Sequence, residues 1–318
     1  MRYIDVFNGD ADGLCALHQL RLANPLASEL VTGVKRDIKL LDRVEAAAGD
    51  AITVLDISLD SNRQGLLRLL DAGATVAYFD HHHAGEIPQH PGLHSHIDLS
   101  AAVCTSILVD RHLGGQHRLW AIAAAFGDNL AKVARALAEE RGLTEAQIGQ
   151  LARLGECLNY NGYGDSLSDL HFHPADLYRE LQPYADPFSF IAKSPAFARL
   201  ETGFNDDLAR VDALLPIRKQ ASCAAYLMPD APWARRVSGI FANRLANASP
   251  ALAHAVLTLN RHGDYTVSVR APLANPQGAD TLCLSFETGG GRKAAAGINR
   301  LPVAGLDAFL TRFGEHYR

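Results

Sequence analysis

No stretch of this sequence approaches the run of about 20 apolar residues that a membrane-spanning helix needs. A basic surplus is missing as well: 30 Lys and Arg stand against 35 Asp and Glu, a formal net charge of −5. A surface of that balance offers no broad track for a long polyanion, so phosphate binding has to be local. Cysteine is sparse. Cys15, Cys104, Cys157, Cys223 and Cys283 are odd in number and far apart, which excludes a disulfide framework and a thiolate zinc site. Buried free thiols in a reducing compartment are expected instead. There is no internal repeat, coiled coil or low-complexity tract. The opening Arg2-Tyr3-Ile4-Asp5-Val6-Phe7 reads as a strand and not as a basic-then-apolar leader, so a soluble, cytoplasmic protein without membrane partners is expected.

What is present is a chain of 318 residues, 48% hydrophobic, long enough for two domains with full cores. In its first half short β-rich runs alternate with helical patterns, the signature of parallel strands joined by crossover helices. Strands are expected at 3–7, 29–34, 51–57 and 74–79. Between the last two, Leu66, Leu67, Leu69 and Leu70 form a helical stripe that stops at Gly73, a residue suited to a left-handed cap. Helices are expected over 101–113, 118–126, 130–141 and 145–159, followed by a turn-rich loop over 159–165. The expected organisation is a catalytic domain over 1–195, a linker over 196–230 and a smaller domain over 231–318, with a cleft between the two. In the last part a helix is expected over 237–246, strands over 253–259 and 265–270, and a closing helix over 305–316.

Three of the four strands in the first half end in acidic residues. In open α/β sheets the carboxyl ends of the strands line the ligand crevice, so side chains distant in sequence converge there. The first strand delivers Asn8-Gly9-Asp10-Ala11-Asp12-Gly13, the third Asp56, and the fourth Asp80-His81-His82-His83. Asp10 before a helix also reads as an N-cap, and three histidines also read as a surface loop. Their arrival at equivalent strand ends with Asp56 favours one shared pocket. Carboxylates packed so closely repel unless cations neutralise them, and oxygen and imidazole donors without thiolates suit Mn²⁺, with Mg²⁺ or Co²⁺ as alternatives. Two such ions can clamp the attacking and leaving oxygens of a displacement at phosphorus. His90, His94 and His96 are expected to be exposed loop residues.

The order Asp10-x-Asp12, Asp56, Asp80-His81-His82 and Asp128 within Ala125-Phe126-Gly127-Asp128-Asn129 resembles the four motifs of the DHH phosphoesterase superfamily. Gly289-Gly290-Gly291-Arg292-Lys293 through Gly297 resembles the glycine-rich motif of the DHH-associated domain. The resemblance spans nearly the whole chain. It implies a parallel-sheet α/β metal domain with a smaller α/β substrate-binding domain. It also implies two metal ions: Asp10 on the first, Asp12 on the second, Asp56 bridging, and His81 and Asp128 completing the second site. His82 then faces the substrate, and a metal-activated hydroxide is the nucleophile. Asn8 stands where the family usually has His, and Arg292 where it usually has His after the glycines. Asn8 is a neutral candidate ligand that weakens the first site. Backbone amides of Gly289, Gly290 and Gly291, with Arg292 and Arg270, are the candidates for substrate phosphate.

The activity expected is Mn²⁺-dependent hydrolysis of short oligoribonucleotides or linear dinucleotides to mononucleotides. Alternatives are a 3′-phosphoadenosine-5′-phosphate phosphatase, a cyclic-dinucleotide phosphodiesterase, a RecJ-like single-strand exonuclease, and a nucleotide sensor that has lost catalysis. A homodimer is also within what the resemblance implies.

Overall fold

The computed structural model describes residues 1–318, and the chain divides into two compact units, Met1–Gly203 and Phe204–Arg318. In the first unit five strands, β1 (Tyr3–Phe7), β2 (Glu29–Thr32), β3 (Ala51–Leu55), β4 (Thr75–Asp80) and β5 (Leu93–Ile97), form one sheet. Their order is β2-β1-β3-β4-β5 and every pairing is parallel. All five carboxyl ends therefore lie along one edge. The inner strands are buried on both faces, which is why they read as near-continuous apolar runs. Ile4, Val6, Val54 and Val76 pack with Leu66, Leu69 and Leu70 of α2 (Leu59–Asp71), whose stripe closes one face. Each such leucine contributes about 2 kcal/mol by burial. Gly73 ends that helix with a positive φ of 84°, as the sequence predicts.

The other face carries α1 (Ala11–Ala23), packed against α3 (Thr105–His112) and α4 (Arg118–Gly127). There follow α5 (Ala131–Glu140), α6 (Glu145–Gly162), α7 (Pro174–Leu181), α8 (Pro187–Lys193) and α9 (Pro195–Asp212). A capping box starts α6: Thr144 Oγ1 accepts from the Gln147 amide, and Gln147 Oε1 accepts from the Thr144 amide at 2.9 Å. The helix runs on through residues 159–162, where a loop was expected, and so carries Asn159 inward. Strand β5 differs from expectation too: His94 and His96 lie on an edge strand, with the His96 ring stacked on Phe79 at 4.3 Å.

Residues 196–230, expected as a linker, hold most of α9 and the strands β6 (Arg218–Lys219) and β7 (Cys223–Met228). The second unit is a six-stranded sheet of β6, β7, β8 (Ala253–Leu259), β9 (Asp264–Arg270), β10 (Gly289–Gly291) and β11 (Ala295–Pro302), ordered β10-β11-β9-β8-β7-β6. Only the β7–β8 pairing is parallel. Helices α10 (Pro232–Ala248), α11 (Ala279–Leu284) and α12 (Leu306–His316) complete it. In β9 the alternation seen in the sequence buries Tyr265, Val267 and Val269 against Phe309 and Phe313 of α12. The two units are thus a parallel α/β domain and a smaller mixed-sheet α/β domain. All five cysteines are free and buried. No helix is long and apolar enough to cross a membrane.

Candidate metal centre at the carboxyl edge of the first sheet

The segment after β1 turns tightly into α1. A Cβ at Gly13 would come within 2.2 Å of the Asn8 carbonyl oxygen, so this turn admits only glycine. Asp10 caps the helix: its Oδ1 accepts from the amides of Asp12 at 3.0 Å and Gly13 at 3.1 Å. Capping and membership of the cluster are therefore combined in one side chain. Asp12 is fully buried and held by the start of α3, its two oxygens accepting from the amides of Thr105 and Ser106, both at 2.7 Å.

Asp56 follows β3 in the left-handed region, φ 60°, a conformation that costs a non-glycine residue about 1 kcal/mol or more. Its amide donates to the Phe79 carbonyl at 3.1 Å, which pins the backbone so that the side chain faces the cluster. Thr105 Oγ1 donates to its Oδ1 at 3.2 Å. Asp128 caps the end of α4, next to Asn129 at φ 62°.

These acids meet around His81. Its Nε2 lies 3.5 Å from Asp56 Oδ1, 3.7 Å from Asp128 Oδ2 and 3.9 Å from Asp12 Oδ2. Donors bound to one ion at about 2.1 Å stand about 3 to 4 Å apart, so this spacing fits a shared divalent cation. Two overlapping donor sets arise, Asp12–His81–Asp128 and Asp56–His81–His82. Electrostatics point the same way. Burial, then the charges of Asp12, Asp10, Asp128 and Asp80, hold the Asp56 carboxyl well above the usual range. Burial and the charges of Asp12 and Asp10 push Asp128 up to about 7. Two buried oxygens, Asn8 Oδ1 and Asp80 Oδ2, have no hydrogen-bond partner. Uncompensated acid and orphaned oxygen in one place are what a bound cation would satisfy. The donor set fits a hard or borderline divalent ion held by oxygen and imidazole.

His82 is turned outward. Its Nδ1 lies 2.7 Å from Asp80 Oδ1, and this hydrogen bond raises the imidazole pKa. Its side chain is 45% exposed, leaving the ring accessible from solvent.

Two residues of the centre escaped the sequence reading. Lys35 stands just beyond β2, and its Nζ reaches Asp10 Oδ2 at 2.5 Å, Asn159 Oδ1 at 3.1 Å and Asp128 Oδ1 at 3.7 Å. Burial opposes the lysine charge, but Asp10, Tyr163 and Asp128 outweigh it and hold its pKa above the ordinary value. The same contact offsets the burial of Asp10, whose pKa falls below the usual range. Lys35 was legible in principle, because β2 belongs to the same sheet and the rule that singles out Asp56 applies equally to the residue that follows β2. Asn159 belongs to the polar segment 159–165, which the sequence offers only as a candidate lining of the cleft, and its place beside Lys35, 124 residues away, follows from no spacing.

Arg270 Nε donates to Asn243 Oδ1 at 2.7 Å. Gly289, Gly290 and Gly291 form the edge strand β10 opposite Ile298, Gly297 and Ala296, and Arg292 is exposed in the hairpin that follows. Packing accounts for the first and last of these glycines, since a Cβ would meet the Cys283 carbonyl oxygen at 1.7 Å from Gly289 and Ala296 Cα at 2.4 Å from Gly291. The run expected to cradle an anion is strand β10.

No protein-family model and no curated protein matches the chain. Solved structures do. An exonuclease RecJ bound to manganese aligns with a TM-score of 0.66 at 20% identity, over 100% of this chain and 90% of that one. RecJ from Thermus thermophilus in complex with Mn²⁺ aligns at 0.65 and 21% identity, over 99% of this chain and 52% of that one. The pGpG-specific phosphodiesterase PggH from Vibrio cholerae aligns at 0.57 and 15% identity, over 99% of this chain and 100% of that one. At such identities the likeness is one of fold. RecJ and PggH are both DHH proteins with a DHH-associated domain, and the fold that the sequence motifs imply is the fold this chain has.

Proposed function

We propose that the chain is a divalent-metal-dependent phosphodiesterase that hydrolyses short oligoribonucleotides or linear dinucleotides to mononucleotides. One observation carries the reading: Asp12, Asp56 and Asp128 surround His81 at 3.5–3.9 Å with no lysine or arginine among them to balance the charge of Asp12 and Asp56. A divalent ion bound there supplies positive charge to the phosphate and lowers the pKa of water. The protein does the positioning. His81 is common to both donor sets, Asp56 is held 3.5 Å from it, and Asp12 is fixed by two amides. His82, kept basic by Asp80, offers a proton donor to a phosphate oxygen or to the leaving group. Arg270 and Arg292 are the anion-binding candidates of the second unit. Mn²⁺ is the ion we favour, since the donors are oxygen and imidazole and the nearby Cys104 thiol is pushed well above its usual pKa, chiefly by burial.

Small substrates are favoured by the net charge of −5 and by the likeness to a phosphodiesterase whose name specifies pGpG. The fold match to RecJ at a TM-score of 0.66 keeps a single-strand exonuclease as the second reading. The test is a panel of linear dinucleotide, longer RNA, single-stranded DNA, cyclic dinucleotide and 3′-phosphoadenosine-5′-phosphate, each with Mn²⁺, Mg²⁺ or chelator. Fastest cleavage of the linear dinucleotide, abolished by chelator, is expected. Preference for long single-stranded DNA would replace this reading with the exonuclease, and nucleotide binding without turnover would replace it with a sensor.

A further inference from the structure

We infer that the ammonium of Lys35 fills one of the two cation positions of the acidic cluster, so that the chain takes a single divalent ion, on the side of Asp12, Asp56, His81 and Asp128. This rests on the metal-dependent reading above and narrows it.

The geometry around Asp10 leaves no room for an ion. Its Oδ1 already accepts from two amides, at 3.0 and 3.1 Å. Its Oδ2 takes the Lys35 ammonium at 2.5 Å. A divalent cation on that oxygen would stand about 2.1 Å away, in the space of the ammonium and against its charge. The lysine is a fitted group and not a loose surface chain. Its amide donates to the Gly162 carbonyl at 2.8 Å, and its Nζ lies 5.7 Å from the centre of the Tyr163 ring. A second hydrogen bond ties Nζ to Asn159 Oδ1 at 3.1 Å. The three donors of an ammonium are thus turned to Asp10, Asn159 and the side of Asp128, the arrangement of ligands about a small cation. Asn8, the remaining donor on this side, turns its amide nitrogen to the Lys35 carbonyl at 3.4 Å and leaves its Oδ1 without a partner, a single neutral oxygen that brings no charge to hold a divalent ion.

On the other side, His81 lies 3.5–3.9 Å from Asp12, Asp56 and Asp128; Lys35 reaches only the Asp128 edge, at 3.7 Å, and no ammonium pairs with Asp12 or Asp56. Lys35 therefore supplies one fixed positive charge at the centre, independent of metal supply.

The test counts ions. Full-length chain is equilibrated with Mn²⁺, freed of excess, and assayed by elemental mass spectrometry and electron paramagnetic resonance. One Mn²⁺ per chain, with the resolved hyperfine lines of an isolated ion, is expected. Lys35→Met vacates the position, and with Asn8→His added to supply an imidazole the chain is expected to bind two ions whose spectrum is exchange-coupled. Should Lys35→Met not fold, Lys35→Gln, which keeps a hydrogen bond to Asp10 without the charge, takes its place. Two ions in the unaltered chain would overturn the inference and leave the phosphodiesterase reading standing. A single ion in every variant would also overturn it. No ion in the unaltered chain would overturn both.

Discussion

The two sides of the acidic cluster face the same problem, too much buried negative charge, and meet it differently. Around Asp10 the protein solves it internally: Lys35 neutralises the carboxylate, whose pKa falls below the usual range. Around Asp56 it does not, and at Asp128 the more distant Lys35 offsets only part of the burial; both carboxyls are pushed up, Asp128 to about 7. Asp5, buried in the same β1 strand, shows that the chain can neutralise an acid fully when function asks nothing of it. There Arg21 pairs with both carboxylate oxygens and Ser28 Oγ donates at 2.6 Å. Acids left unbalanced where Asp10 and Asp5 are balanced fit the proposal that charge there comes from a bound cation.

The largest effect is expected where the imbalance is greatest. Asp56→Ala removes the central carboxylate and should lower turnover by about a thousand-fold or more while the far-ultraviolet circular dichroism stays unchanged. A variant that keeps near-full rate would place the chemistry elsewhere.

The second expectation concerns pH. Asp56 and Asp128 have folded pKa values above their unfolded ones, so their contribution to stability is complete below the unfolded value and is lost as pH rises through the folded one. Asp10 is shifted the other way, and its window closes well below neutrality. Metal-free chain should therefore melt about 5 °C lower at pH 8.5 than at pH 7, and added Mg²⁺ should remove most of that slope. Buried His18, depressed to about 4, titrates below this range and does not mask it. A flat melting profile in chelator would erase the difference between the two sides.

The smallest effect is expected at Asn8. With Lys35 in place, Asn8→His should change Mn²⁺ affinity by less than about two-fold, read by calorimetry, because the ammonium already holds that side. Ten-fold tighter binding would show that the Asp10 side does take an ion.

The sequence made the acids legible because a parallel sheet sends every strand end to one edge, so spacing along the chain translates into convergence. Lys35 obeys the same rule, but a lysine after a strand has the look of ordinary surface charge. Asn159 was hidden by its turn-forming neighbours Asn161 and Gly162, which suggest a loop where helix α6 in fact continues. Strand β5 was illegible for a related reason. At a sheet edge only one flank is paired, so Leu93–Ile97 can carry two histidines and a serine without the apolar signature of its inner neighbours. The glycine run suggests ligand contact, and packing adds a reason the sequence does not show for two of its members, the crowding of a Cys283 carbonyl and of Ala296.

Under the proposed function, the backbone twist at Asp56 sets stability and activity against each other at a single position. Glycine would sit there more comfortably, and asparagine would tolerate it about as well, yet neither brings the carboxylate. Glutamate would restore the charge on a longer arm and fit the dihedral poorly. A lineage selected for a sturdier fold alone would drift toward glycine here, and it would lose the heart of its site while every strand and helix stayed in place.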